Sequence, residues 1–174
     1  IPFDQNPVAD PTGAWAATGQ SGPVWFLAGN FGGVTTREVE VPAGKALFFP
    51  IINSVWITTC AGEPRTLEGI RALPYVTPFI NAASGLAVEL NGVPVTDLGR
   101  YRAESPLFCT PLTIYGITTP QELEAAGFCA PGESNPNCAD LPRPEEHFGP
   151  TDGFGPAMTD GYWLMLPPLK KGRH

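Results

Sequence analysis

Apolar residues along the 174-residue chain fall into short runs broken by turn-forming residues, and most runs lack helical spacing. Val24-Trp25-Phe26-Leu27-Ala28, ended by Gly29-Asn30-Phe31-Gly32-Gly33, reads as a first strand. Residues 34–41 read as a second. There Val39 and Val41 point one way and Glu38 and Glu40 the other, the pattern of a strand wet on one side. After the turn Pro42-Ala43-Gly44-Lys45, residues 46–52 are apolar without alternation, which predicts a strand covered on both faces with Phe48 and Ile51 inaccessible to solvent. Residues 86–90 and 93–95 flank Asn91-Gly92, a strong short-range hairpin signal, and Pro94 puts the second arm at an edge or a strand start. Residues 161–166 predict a final strand before Pro167-Pro168.

Two short helices interrupt this pattern. Residues 66–72 carry Thr66 as cap and Glu68 in the first turn, and Pro74 follows as a stop. Thr119-Pro120-Gln121-Glu122 is a capping box with Pro at the first helical position, and Gly127 closes that helix. Many short strands with one or two helices in the connections predict an all-β fold, a β-sandwich of jelly-roll or Greek-key type. No internal repeat or linker divides the chain, so residues 1–174 are expected to form one domain. Residues 1–23, rich in Pro, Asp, Asn and Gly, form an irregular arm with Trp15 as its anchor. Ile1 is not a translational start, and a strand should resume after Pro167-Pro168, so the natural chain is expected to extend beyond both ends.

Composition narrows the partners. Gly (20) and Pro (21) would suggest disorder, but 43% hydrophobic residues and their placement between apolar runs make them turn punctuation. Charge is sparse, the net charge is −7, and the one basic cluster is Lys170-Lys171-Gly172-Arg173, which argues against nucleic acid. No apolar stretch approaches the roughly 20 residues of a membrane-spanning helix.

Cys60, Cys109, Cys129 and Cys138 contain no C-x-x-C pair, and only two histidines accompany them, which argues against zinc. An even count in an acidic, Lys-poor chain predicts disulfides and a secreted protein, extracellular or periplasmic. Cys129 and Cys138 bracket a short Pro-containing loop and are expected to pair, leaving Cys60 to Cys109.

Candidate chemistry is thin. Gly19-Gln20-Ser21-Gly22 lacks the helix that a hydrolase nucleophile elbow needs after its serine, so it reads as a turn. His147, beside Glu145 and Glu146, could serve as a general base, and its structural alternative is a solvated polar loop. Asp4 and Asp10, and again Asp152 and Asp160, supply the oxygen ligands that Ca²⁺ takes; the same residues serve as turn formers and caps. Of the four tryptophans, Trp25 and Trp163 sit in apolar strands and read as core, whereas Trp56 is the best candidate for stacking on a sugar. Asp160-Gly161-Tyr162 has the form of a tyrosine corner.

Four blocks, Gly22-Pro23-Val24-Trp25-Phe26-Leu27-Ala28-Gly29, residues 41–53, Tyr101-Arg102-Ala103-Glu104-Ser105-Pro106-Leu107-Phe108 and Asp160-Gly161-Tyr162-Trp163, resemble a family of secreted bacterial and archaeal β-sandwich proteins of unassigned function. The resemblance implies a fold, a Trp-rich segment ahead of Ile1 and a further apolar strand after His174, and it implies no reaction. Two readings of function follow. One is a non-catalytic extracellular module: a subunit of a surface assembly, or a domain that binds protein or glycan. Its partner would be another protein or a copy of itself, paired along the edge left after residue 166. The other is a small glycan-directed hydrolase using His147, Glu145, Glu146, Asp152 and Asp160, which requires those groups to converge.

Overall fold

A computed structural model describes residues 5–111, 119–132, 138 and 154–174. The described fold is mainly β, with seven strands and three helices of five or six residues. The strands are β1 (Val24–Phe26), β2 (Ala46–Ile57), β3 (Glu89–Leu90), β4 (Val93–Pro94), β5 (Arg102–Glu104), β6 (Phe108–Pro111) and β7 (Phe154–Leu166). The helices are α1 (Leu67–Arg71), α2 (Thr77–Asn81) and α3 (Pro120–Ala125). Five strands form one sheet in the order β1-β2-β7-β5, with β6 also on β7; β3 and β4 form a separate hairpin. The second sheet among the described residues is the β3–β4 hairpin alone, so the sandwich layering expected from the sequence is not among the observed features.

Contacts divide the chain into two compact units, one of Ser54–Ala82 and Glu104–Asp160 (with Ile1), the other of Pro2–Asn53, Ala83–Ala103 and Gly161–His174. In the first unit, neighbouring residues on β2, on β7 and at the start of β6 serve two separate apolar clusters. Ile57, Ala157 and Phe108 pack with Leu123 of α3, Cys60 and Cys129. Trp56, Met158 and Leu107 pack with Leu67 and Ile70 of α1 and with Leu73 and Val76. Because consecutive strand residues leave opposite faces of a sheet, both faces here are covered, by short helices and not by strands. Gly155 permits the tight β2–β7 crossing: a side chain there would stand 2.8 Å from Ile57 Cγ2.

The same alternation explains a correction to the cysteine pairing. The bonds are Cys60–Cys129 and Cys109–Cys138, not Cys129–Cys138 and Cys60–Cys109. Phe108 faces the cluster that holds Cys60, so its neighbour Cys109 faces away and cannot reach it. Glu63 holds Cys60 in place by accepting the Thr59 and Cys60 N–H groups at 2.7 and 2.8 Å. Cys129 is delivered by the end of α3. Gly127 (φ +78°) reverses the chain, its N–H reaches the Glu124 carbonyl, and Phe128 N–H reaches the Leu123 carbonyl at 2.9 Å. Proximity in sequence was the wrong guide; the face of the sheet decides.

Both expected helices form with the expected caps, Thr66 on α1 and the reciprocal Thr119–Glu122 box on α3. Helix α2 carried no cap signal, and Val76 indeed makes no side-chain cap bond.

In the second unit β1 runs parallel to β2, Val24 opposite Ala46 and Phe26 opposite Phe48. The Asn91-Gly92 hairpin is present with only two residue pairs, and both turn residues have positive φ. Residues 48–52 are half-buried, so Phe48 and Ile51 are not inaccessible as expected. Instead Phe48 lies flat against Trp163 (5.5 Å between centroids) with Phe26 edge-on (5.8 Å), and Phe26 remains 54% exposed. Tyr162 meets Arg102 through its ring and not as a corner anchor through its hydroxyl. The final strand is 13 residues long and pairs with β2, β5 and β6. Residues 167–174 continue without strand structure.

Candidate functional site

The arm and the run after β1 are held by polar bonds between distant backbone segments. Asp10 is buried, and its carboxylate accepts Trp15 N–H at 2.8 Å and both the N–H and the hydroxyl of Thr12 at 2.7 Å. The Trp15 N–H is the main reason its carboxyl sits at about 2, below the ordinary 3.8; burial opposes the shift, and Thr12 and Gly13 add to it. Arg37 completes the frame. Its guanidinium donates to the carbonyls of Asp10 (2.7 Å), Ala28 (2.7 Å), Gly29 (3.0 Å) and Val8 (3.3 Å), tying the arm to the chain leaving β1.

Fixed in this way, residues 37–41 lie outside any strand or helix. Val39 and Val41 are half-buried, and Glu38 and Glu40 are exposed, as the sequence predicts. What is missing is the ladder. Among the described residues, the one backbone–backbone hydrogen bond of the run 34–41 joins Glu38 N–H to the Thr12 carbonyl at 3.3 Å. Gly13 makes that approach feasible: it has φ +95°, and a side chain on it would stand 2.6 Å from the Glu38 carbonyl. The run borders an open cleft of about 1500 Å³ within the second unit, whose apolar lining includes Leu27, Val39, Val41, Leu47 and Leu169. Lys170, Lys171 and Arg173 also line it, and Arg173 meets Glu38 at 2.8 Å. A segment with strand alternation, and with amides and carbonyls that have no backbone partner among the described residues, can accept a further strand.

Asp4, Glu145, Glu146, His147 and Asp152 lie outside the described residues. Asp10 belongs to the second unit and spends its carboxylate on its own arm; Asp160 belongs to the first, fully buried in β7. Among the described residues no group of three His, Cys, Asp or Glu side chains is placed to hold a metal. Trp56 is half-buried against the Met158 cluster and stacked on Tyr75 at 5.8 Å, so it serves packing. Trp25 is buried, Trp15 is 40% exposed and Trp163 is half-buried.

Sequence reasoning passed over Arg37 and Gln20. The signal for Arg37 was a lone basic residue inside a Val/Glu alternation. Gln20 was absorbed into a turn motif, which gave no hint of its contacts.

Comparison with protein-family models, with curated proteins and with solved structures finds no match for this chain.

Proposed function

We propose that the chain is a non-catalytic extracellular module that binds an extended protein segment by strand addition along residues 37–41. The observation that carries this reading is the alternating run whose backbone lacks a ladder, held open at the border of an apolar-lined cleft. Main-chain bonds would supply affinity, and contacts at alternate side chains would supply selectivity. Two disulfides support an oxidising compartment, in keeping with the resemblance to secreted proteins. In the same reading the added strand and residues 37–41 begin a second layer, giving the β-sandwich that the strand-rich sequence implies. A subunit of a surface assembly would use such a site to take a strand from its neighbour.

Amide hydrogen exchange tests the proposal with a soluble probe peptide, Lys-Val-Thr-Val-Thr-Val-Lys. In the free protein the amides of Val39, Glu40 and Val41 should exchange within the dead time. Saturating peptide should protect alternate amides of the run and leave α3 unchanged. Slow exchange of these amides in the free protein, or no protection by the peptide, would reject strand addition here.

A further inference from the structure

The unit that contains the open run also has a strand edge that is closed, and the closing group is a side chain. Among the described residues β1 is the outermost strand of the sheet. On its inner side β2 takes the groups flanking Phe26: Ala46 N–H bonds the Pro23 carbonyl at 3.1 Å, and Leu27 N–H bonds the Phe48 carbonyl at 2.9 Å. Alternation along the strand therefore turns the N–H and C=O of Phe26 outward, where a neighbouring strand would bind. Gln20 occupies both. Its Oε1 accepts Phe26 N–H at 3.0 Å, and its Nε2 donates to the Phe26 carbonyl at 2.7 Å. The second Nε2 hydrogen reaches the Ala16 carbonyl at 3.0 Å, which fixes the amide from behind.

A primary amide that exchanges both bonds with one residue reproduces the hydrogen-bonded pair of an antiparallel ladder. We infer that the Gln20 amide is a stand-in strand that closes the outer edge of β1, and that without it this edge pairs with β1 of a second copy of the chain. β1 of a second copy is the occupant because each copy presents the same opened edge and exposed Phe26, so two copies can exchange the Phe26 bonds as one antiparallel pair. The exposed Phe26 ring, beside Phe48, adds apolar area to a twofold contact in which each copy presents the same patch. Charged residues, Pro, bulges and short strands are the familiar guards of sheet edges; here the guard is an amide that mimics backbone.

Gln20→Ala removes both bonds and leaves the strand intact. Sedimentation velocity over a dilution series from about 1 to 200 µM should show a monomer for the wild type and a monomer–dimer equilibrium for Gln20→Ala. The double variant Gln20→Ala/Phe26→Lys, which puts a charge on the opened edge, should return to monomer, and circular dichroism should report all three as folded. Hydrogen exchange reads the plug itself. The Phe26 amide should be protected in the wild type and exchange at least tenfold faster in dilute Gln20→Ala. A wild type that dimerises, a Gln20→Ala variant that is folded and monomeric throughout, or an unprotected Phe26 amide in the wild type would each overturn the inference. Loss of fold in Gln20→Ala would also overturn it, because an edge guard contributes little to the fold. Gln20→Glu separates the roles of the amide: it keeps an acceptor for Phe26 N–H, loses the donor, and should associate less than Gln20→Ala.

Discussion

The two compact units solve the same problem by different means. Among the described residues, both disulfides, all three helices and most of the buried apolar side chains belong to the unit of 54–82 and 104–160. The other unit buries Trp25, Leu47 and Leu164, and is tied instead by Arg37, Asp10 and Gln20 reaching across the backbone. Apolar burial is non-directional and leaves little backbone to spare. Side-chain-to-backbone bonds hold a segment at chosen points and leave the rest of its amides and carbonyls free. That difference fits the proposed pairing segment, 37–41, to the polar-tied unit.

The most forceful way to break the comparison is to remove a covalent staple. Cys60 and Cys129 are 69 residues apart, so their bond closes a long loop; on the chain-entropy account it is worth about 4 kcal/mol. Cys60→Ala/Cys129→Ala should therefore lower stability by about that much in denaturant unfolding. Unreduced peptide mapping of the wild type should return the Cys60 peptide joined to that of Cys129. A map joining Cys129 to Cys138 would return the pairing to the sequence expectation and remove the argument from sheet faces.

Next comes packing. Met158 is fully buried between the helices and the sheet, whereas Phe48 is half-buried and stacked on Trp163. Met158→Ala should cost about 3 kcal/mol, and Phe48→Ala about 1–2 kcal/mol, because less of its ring leaves water on folding. Equal losses in urea unfolding would mean that the second unit has a core as dense as the first. Such a result would erase the contrast.

What the sequence made legible follows from how local each feature is. Thr66, the Thr119–Glu122 box, Gly127 and Asn91-Gly92 act within a few residues, and all four appear in the structure as the sequence implies. The alternation of residues 37–41 was also readable, since Val39 and Val41 do turn inward. Whether that segment found a partner strand was not, because pairing depends on residues far away in the chain. The cysteine pairing failed for the same reason: it depends on which sheet face Cys109 leaves, which only the β6–β7 register reveals (Phe108 opposite Ala157). The candidate site was half legible. The run was visible, but the Arg37 bonds that hold it span up to 29 residues and have no sequence signature.

Asp10 gives a gentler probe of the polar-tied unit, read through pH. Its carboxyl lies at about 2 in the folded chain and near 3.8 otherwise, so the folded state favours the charged form. Its stabilising contribution is fully present above about pH 4 and is lost as pH falls toward 2. Asp10→Asn should remove that part of the acid dependence. The melting temperature of the wild type should fall more steeply than that of the variant between pH 4 and 2. Parallel curves would show that the arm draws nothing from the Asp10 charge.

The smallest effect should come from Arg173, and its smallness is informative. Its guanidinium meets Glu38 at 2.8 Å, but the two side chains are 91% and 84% exposed. Water screens such a pair, and ordering two long side chains offsets most of the attraction, so Arg173→Ala should change stability by less than about 0.5 kcal/mol. Exchange at Val39 and Val41 should be unaltered as well, because the frame of the run is Arg37 and not the tail. The comparison is sharpened by setting Arg37→Lys beside it. Lysine keeps the charge and loses the planar fork that reaches four carbonyls, so the arm should loosen, and the Trp15 amide should exchange faster. If Arg173→Ala were the more damaging of the two, surface charge and not the half-buried fork would hold the run open. The polar-tied unit would then weaken with added salt, whereas the stapled unit would not.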